Sequence, residues 1–182
     1  MKQWGSYGTG NGQFRLPRQI AFDAYNYYYI TDEFNNRIQV FDSAGNYVRK
    51  WGSYGTLLGQ FRLPQGISVD PWGYIYVADT HNDRIQRFTN TGEFLAVLGT
   101  SGTLTGQFTH PRGVSVDAWG SVFVADSFNH RLQKFNSYHL FLYMNGLFPI
   151  PAFPNDIYAS GSGNVFISDA GNNRILRYID YG

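Results

Sequence analysis

The segment DTHNDRIQRF, Asp79 to Phe88, decides the fold because it is written four times. It stands as DEFNNRIQVF from Asp32 to Phe41, as DSFNHRLQKF from Asp126 to Phe135, and as DAGNNRILRY from Asp169 to Tyr178. A second phrase travels with it. WGSYGTGNGQFRLP, Trp4 to Pro17, returns as WGSYGTLLGQFRLP from Trp51 to Pro64 and as LGTSGTLTGQFTHP from Leu98 to Pro111. An offset of 47 residues carries the first copy onto the second and the second onto the third. The fourth follows after 43, because the loop from Gly146 to Pro154 is shorter than its counterpart from Gly52 to Pro64. Self-similarity at such a period marks a repeat architecture, in which one supersecondary unit cannot bury its apolar faces alone.

Within the second unit, GISVD, YIYVAD, RIQRF and EFLAVLG are short, rich in β-branched and aromatic residues, and bounded by turn residues. No segment holds a helical period. Asp70-Pro71-Trp72-Gly73 suits a type I turn, and Asn90-Thr91-Gly92 suits a short hairpin with glycine at positive φ. One unit is therefore a four-stranded antiparallel meander. Such meanders bury both faces by stacking in a ring, which is a propeller.

The wording of the unit resembles the NHL repeat family. The Pro-x-Gly-Ile/Val start is Pro64-Gln65-Gly66-Ile67 and Pro111-Arg112-Gly113-Val114. The Asp-x-x-Asn-x-Arg-Ile/Leu-Gln core runs Asp32 to Gln39, Asp79 to Gln86 and Asp126 to Gln133. The Gly-x-Phe closer is Gly12-Gln13-Phe14, Gly59-Gln60-Phe61 and Gly106-Gln107-Phe108. Blade one departs with Gln19, and blade four with Asp156, where the repeat has Gly; blade four also lacks Gly-Gln-Phe and ends its core in Leu176. Family members are usually six-bladed rings.

The expected fold is all-β: a four-bladed β-propeller of NHL-type four-stranded repeats in one domain, residues 1–182. Blade one spans about 17–52, blade two about 64–99, blade three about 111–146, and blade four about 154–182. The chain ends are in phase, since Gly182 corresponds to Gly92 and Met1 to Leu95. Residues 1–5 form an outer strand without a blade, while blade four lacks an outer strand. The expectation is a ring closed by the N-terminal strand pairing with the last blade, which removes an exposed edge. Its rival is a strand given to a neighbouring molecule.

Composition narrows the function. The net charge is +1, so no strong field draws nucleic acid or an anionic membrane, and no apolar run is long enough to insert into a bilayer. Cysteine is absent, which excludes disulfides and thiolate metal sites. The set of 15 Phe, 14 Tyr and 4 Trp is very aromatic, and Lys stands only at Lys2, Lys50 and Lys134. A Tyr-, Asn- and Thr-rich, Lys-poor surface leans to an extracellular or cell-surface setting.

The Asp/Asn/Arg sets, such as Asp79, Asn82 and Arg84, read as structural loops, because an active site breaks symmetry and these sets repeat it. His81, His110, His130 and His139 fall at different places in the repeat, so no metal site is read; some enzymes that carry this repeat, the amidating lyases, bind zinc through histidine. Two groups remain as binding candidates. Arg18, Gln65, Arg112 and Asn155 follow the repeat proline at a channel mouth, where Arg18 and Arg112 would clamp a carboxylate or phosphate. Tyr25, Trp72 and Trp119 share one hairpin-turn position, occupied by Ser162 in blade four. They either pack on the next blade or form an aromatic ring for a partner.

No nucleophile motif, phosphate-binding loop or dinucleotide fingerprint is present, so no catalytic residue and no cofactor are read. The expected function is a non-enzymatic interaction or self-assembly scaffold, presenting propeller faces to protein partners or to copies of itself. Trp72 and Trp119 would contribute to self-association. The alternatives are an RNA- or glycan-binding propeller, or a relic of a six-bladed lyase or hydrolase.

Overall fold

The computed structural model describes residues 3–145 and 153–180. Four antiparallel sheets are arranged as a four-bladed β-propeller. Blade one holds β1 (Pro17–Phe22), β2 (Tyr28–Asp32), β3 (Arg37–Phe41) and β4 (Tyr47–Trp51). Blade two holds β5 (Ile67–Val69), β6 (Ile75–Asp79), β7 (Arg84–Phe88) and β8 (Phe94–Leu98). Blade three holds β9 (Pro111–Val116), β10 (Val122–Asp126), β11 (Arg131–Phe135) and β12 (Phe141–Asn145). Blade four holds β13 (Pro154–Ala159), β14 (Asn164–Asp169) and β15 (Arg174–Ile179). Each sheet pairs in sequence order, so the first strands β1, β5, β9 and β13 surround the axis.

The repeated Asp/Asn/Arg/Gln set forms a clamp. In blade two the Asp79 carboxylate accepts hydrogen bonds from the Arg62 N–H at 2.7 Å, Asn82 Nδ2 at 2.9 Å, Arg84 Nε at 2.7 Å and Gln86 Nε2 at 2.9 Å. The guanidinium of Arg84 also donates to the carbonyls of Thr56, Leu57 and Gln60, and Gln86 Oε1 accepts the Gly59 N–H. The clamp thus satisfies the backbone of a connector that has little ladder of its own. Blades one and three repeat it through Asp32, Arg37 and Gln39 and through Asp126, Arg131 and Gln133. Each clamp includes a three-residue 3-10 turn, as at Thr80–Asn82, ended by a left-handed residue: Asn36, Asp83, His130 or Asn173. The sequence reading expected no helix. These single turns carry no period, and the Asp–Asn bond across three residues creates them.

Three seams between blades hold the core. Tyr29, Ile38 and Val40 of blade one pack with Phe61, Ile67, Val77 and Phe88. Tyr76, Ala78, Ile85 and Leu98 of blade two pack with Phe108, Val114, Val116 and Val124. Phe123, Ala125 and Leu132 of blade three pack with Ile157, Ala159, Val165 and Ile167. Each large side chain so buried is worth about 1.5–3 kcal/mol.

The fourth seam is different. Blade four meets blade one at the axis, where Gln19 Nε2 donates to both carboxylate oxygens of Asp156 at 2.9 Å. Farther out the facing side chains Ile20, Phe22, Phe166 and Ile175 are exposed. The expected pairing of the N-terminal strand with blade four is not made by the described residues: its sheet contains β13, β14 and β15, and residues 3–5 pair with no strand. Trp4 instead lies over Gly45 and stacks on Tyr28, with ring centroids 6.1 Å apart. This is the seat on blade one that Trp51 takes on blade two, over Gly92 and against Phe88. Residues 1–2 and 181–182 of the expected closure lie outside the described residues.

Candidate functional site

The first strands all begin at one end of the channel, which brings Arg18, Gln65, Arg112 and Asn155 together around a cavity of about 90 Å³. Their side chains already hold polar partners. Arg18 Nε lies 3.0 Å from Glu33 Oε2, and Gln65 Nε2 donates to the other Glu33 oxygen at 3.0 Å. A guanidinium nitrogen of Arg112 donates to Asn155 Oδ1 at 3.2 Å, and the group lies over the Phe128 ring. Arg18 therefore reaches the mouth already paired with a carboxylate, which weakens a two-arginine anion clamp.

Gln19 and Asp156 occupy the next column inward. Gly66 and Gly113 stand in that column in the middle blades, where an added Cβ would come within 2.4 Å of the Arg112 carbonyl and 2.9 Å of the Asp156 Cα. Blades one and four carry side chains there and spend them on each other across the axis. Gln19 Oε1 also accepts the Ile67 N–H at 2.6 Å. Burial pushes the Asp156 carboxyl above its usual range, against the lowering effect of the Ile157 N–H and Gln19. The two departures from Gly thus meet, a contact that the sequence alone does not reveal.

The other end of the channel opens into a cavity of about 550 Å³ lined by all four first strands, with Tyr25, Pro71 and Trp72 at its mouth. The turns that carry the aromatic residues are rigid. Asp70 Oδ1 accepts the N–H groups of Trp72 and Tyr74, both at 2.9 Å. Asp117 does the same for Trp119 and Ser121, and Asp23 for Tyr25 and Tyr27. In blade four Ser160 takes the Asp position and caps more weakly, its hydroxyl accepting the Asn164 N–H at 3.2 Å. Tyr25, Trp72 and Trp119 are 80%, 62% and 60% exposed. Trp72 rests its ring over Gly120 of blade three, so it packs on the next blade and presents a face to solvent at once.

The four histidines do not converge on one point. His81 meets His110 edge-on at 4.7 Å, while His130 lies against Phe153. His139 sits in the seam between blades two and three, its Nε2 3.1 Å from the Tyr76 hydroxyl. Burial pushes that hydroxyl up to about 12; burial, with Arg87 nearby, pulls the His139 imidazole below its usual value. Among the described residues no three His, Asp or Glu side chains gather as a metal set, and no helix is long and apolar enough to cross a membrane.

Fold and site together define the class: a β-propeller whose four-stranded blades repeat one clamped connector. More particularly, residues 61–88 and 108–135 match the family described as NHL repeat, and the chain carries NHL repeats on a four-bladed propeller. Comparison with curated proteins gives no match. Among solved structures the chain is similar to a streptogramin B lyase (TM-score 0.72, 17% identity), covering 91% of this chain and 52% of that one. It is similar to a virginiamycin B lyase from Staphylococcus aureus, a catalytically inactive variant with quinupristin (TM-score 0.68, 17% identity, 90% and 55% covered). It is also similar to a chain of a nidogen/laminin complex (TM-score 0.63, 16% identity, 94% and 78% covered). The chain spans about half the length of the two lyase chains. These likenesses are of fold.

Proposed function

We propose that the chain is a non-enzymatic interaction scaffold that grips a protein partner with the aromatic turns of one propeller face. The observation that carries this reading is the set Tyr25, Trp72 and Trp119, exposed at equivalent positions of three Asp-capped turns. Aromatic rings on a rigid base bury large area at low entropic cost, the usual make-up of interface hot spots. The repeated polar sets are spent on connectors, which supports a scaffold over a catalyst. Among the basic side chains, Arg37, Arg84, Arg131 and Arg174 close the clamps, and Arg18, Arg87 and Lys134 pair with Glu33, Asp70 and Asp180. Cations so engaged favour a protein partner over RNA, whose binding needs Lys and Arg gathered on one side for phosphate. The likeness to a chain of the nidogen/laminin complex supports the reading by analogy of fold.

The test pans a phage-displayed peptide library on the immobilised protein and measures the enriched peptides by calorimetry. Peptides that bind wild type are expected to lose at least tenfold in affinity for the double variant Trp72→Ser/Trp119→Ser, which copies the serine that blade four already carries at position 162. A panning that enriches nothing, or peptides indifferent to the double change, would refute the reading.

A further inference from the structure

Every seam inside the chain joins a trailing face to a leading face. The trailing face comes from the second and third strands of a blade: Tyr29 and Ile38, Tyr76 and Ile85, Phe123 and Leu132. The leading face comes from the first strand of the next blade: Ile67, Val114 and Val116, Ile157 and Ala159. A connector phenylalanine, Phe61 or Phe108, is wedged beside the leading face of blades two and three. The chain carries one further face of each kind. Blade four presents Phe166 and Ile175, and blade one presents Ile20 and Phe22, with Phe14 in the place of Phe61. Their chemistry is that of the covered faces, yet Ile175 is 68% exposed against 1% for Leu132, and Ile20 is 51% exposed against 3% for Ile67. A cavity of about 320 Å³ lined by Trp4, Phe14, Pro17, Ile20 and Ile30 opens on the blade-one side.

The seams also carry a polar register mark. The Leu63 N–H donates to Asn36 Oδ1 at 2.9 Å, and the His110 N–H donates to Asp83 Oδ1 at 2.8 Å. The same donor and acceptor positions on the two bare faces are Leu16 and Asn173. Trp4 adds a third correspondence. Trp51 ends the outer strand of blade one, opposite Ile38, and seats on blade two. Trp4 occupies that seat on blade one, so residues 3–5 lie where the outer strand of a preceding blade would lie. Among the described residues β15 meanwhile pairs on one side only.

From this continuity with three existing seams, we propose that the chain associates head to tail with a second copy of itself, the trailing face of blade four packing on the leading face of the copy's blade one. The Gln19–Asp156 contact within one molecule parts to admit the copy; Phe166 and Ile175 then cover Ile20, Phe22 and Phe14 of the copy; Asn173 accepts the Leu16 N–H; residues 3–5 of the copy lie beside β15 as the missing outer strand. The new seam carries Tyr158 where blade one carries Ala21 and blades two and three carry Ser68 and Ser115. Ser68 and Ser115 accept the N–H groups of Val116 and Ala159. The fourth seam, like the first, lacks that bond, and it places an aromatic ring near Phe22. The contact is heterologous, so a molecule with one spoiled face still offers the other. The inference goes beyond the proposed function and does not use the aromatic turns.

Sedimentation velocity over a concentration series tests it. Wild type is expected to grow in mass with concentration, while Ile20→Asp and Ile175→Asp are each monomeric. Mixed together, the two variants form a one-to-one dimer and nothing larger, because only one sound pair of faces remains. Trp72→Ser/Trp119→Ser assembles as wild type does, which separates this proposal from the aromatic-turn reading. Where an Asp change prevents folding, Ile20→Ser and Ile175→Ser carry the same test. A wild type that stays monomeric at high concentration overturns the proposal. So does assembly indifferent to both substitutions, or a mixture of folded variants that stays monomeric.

Discussion

Replacing Asp126 by Ala should cost far more stability than the same change at Asp169, although both residues head the same motif. The Asp126 carboxylate is fully buried and accepts the Thr109 N–H at 2.8 Å, Asn129 Nδ2 at 2.9 Å, Arg131 Nε at 2.6 Å and Gln133 Nε2 at 3.0 Å. Its removal strands a guanidinium whose side chain is only 7% exposed. Breaking a buried pair from one side costs about 3–5 kcal/mol. Asp169 accepts Asn172 Nδ2 at 2.8 Å, Arg174 Nε at 2.9 Å and the Phe153 N–H at 3.3 Å, but the Arg174 side chain is 37% exposed and returns to water. Burial pushes the Asp169 carboxyl up, yet the bonds from Asn172 and Arg174 outweigh it and hold the group below its usual range. Losing charge-assisted bonds whose cation can return to water costs about 1–2 kcal/mol. With a urea slope of about 2 kcal/mol per molar, the midpoints fall by about 1.5–2.5 M for Asp126→Ala and about 0.5–1 M for Asp169→Ala. Urea melts followed by tryptophan fluorescence read both. Equal shifts would show that the burial of the partner arginine does not set the cost of the clamp, and the argument would be wrong.

Trp51→Ala removes a ring wedged between Tyr29, Phe88 and Gly92, and should cost about 2–4 kcal/mol; Trp4→Ala, at the bare seam, should cost the monomer about 1 kcal/mol. Thermal melts at low concentration check the ordering, and a Trp4 loss as large as that at Trp51 would mean that the fourth seam is sealed in solution. His139 gives a pH dependence. Its folded pKa lies below the unfolded value of about 6.5, so the unfolded chain binds the proton first. Stability is full above about pH 6.5 and falls as the pH drops through that value toward the folded pKa. His139→Gln should flatten the slope of the urea midpoint between about pH 7 and 5; an unchanged slope removes His139 as the cause.

The strands and the clamp were legible because the repeat states them several times. When Asp, Arg and Gln recur at one spacing in three blades with full connectors, a single structural role explains all of them. The mouth residues Arg18, Gln65, Arg112 and Asn155 were legible for the same reason, since one alignment column becomes one ring of positions. The partner of Arg18 was not, because Glu33 has no counterpart in the other blades, which hold Thr80, Ser127 and Ala170. The 3-10 turns left only the faint trace of Asn, Asp, His and Asn at the left-handed position. Phase arithmetic reads residues 1–5 as an outer strand that closes blade four, whereas residues 3–5 pair with no strand. It could not place the edge they join, because the seat of Trp4 on blade one is the same whichever sheet its strand extends.

A repeat protein supplies its own control, and the departures from the repeat fall in blades one and four. Gly66 and Gly113 are required because a neighbouring first strand passes within contact of them. Blade four has no such neighbour packed along its trailing side, so Asp156 is tolerated, and Gln19 facing it turns the tolerance into a side-chain bridge across that seam. Ser68 and Ser115 answer a backbone N–H of the following blade, and Ala21 and Tyr158 stand at that position in blades one and four. The apolar positions behave otherwise. Phe166, Ile175, Ile20 and Phe22 remain as hydrophobic as their buried counterparts, although each bears exposure that a free surface would relieve with polar residues. The polar positions differ in blades one and four, while the apolar positions keep their character there, and that retained apolar surface is what a packed blade would bury.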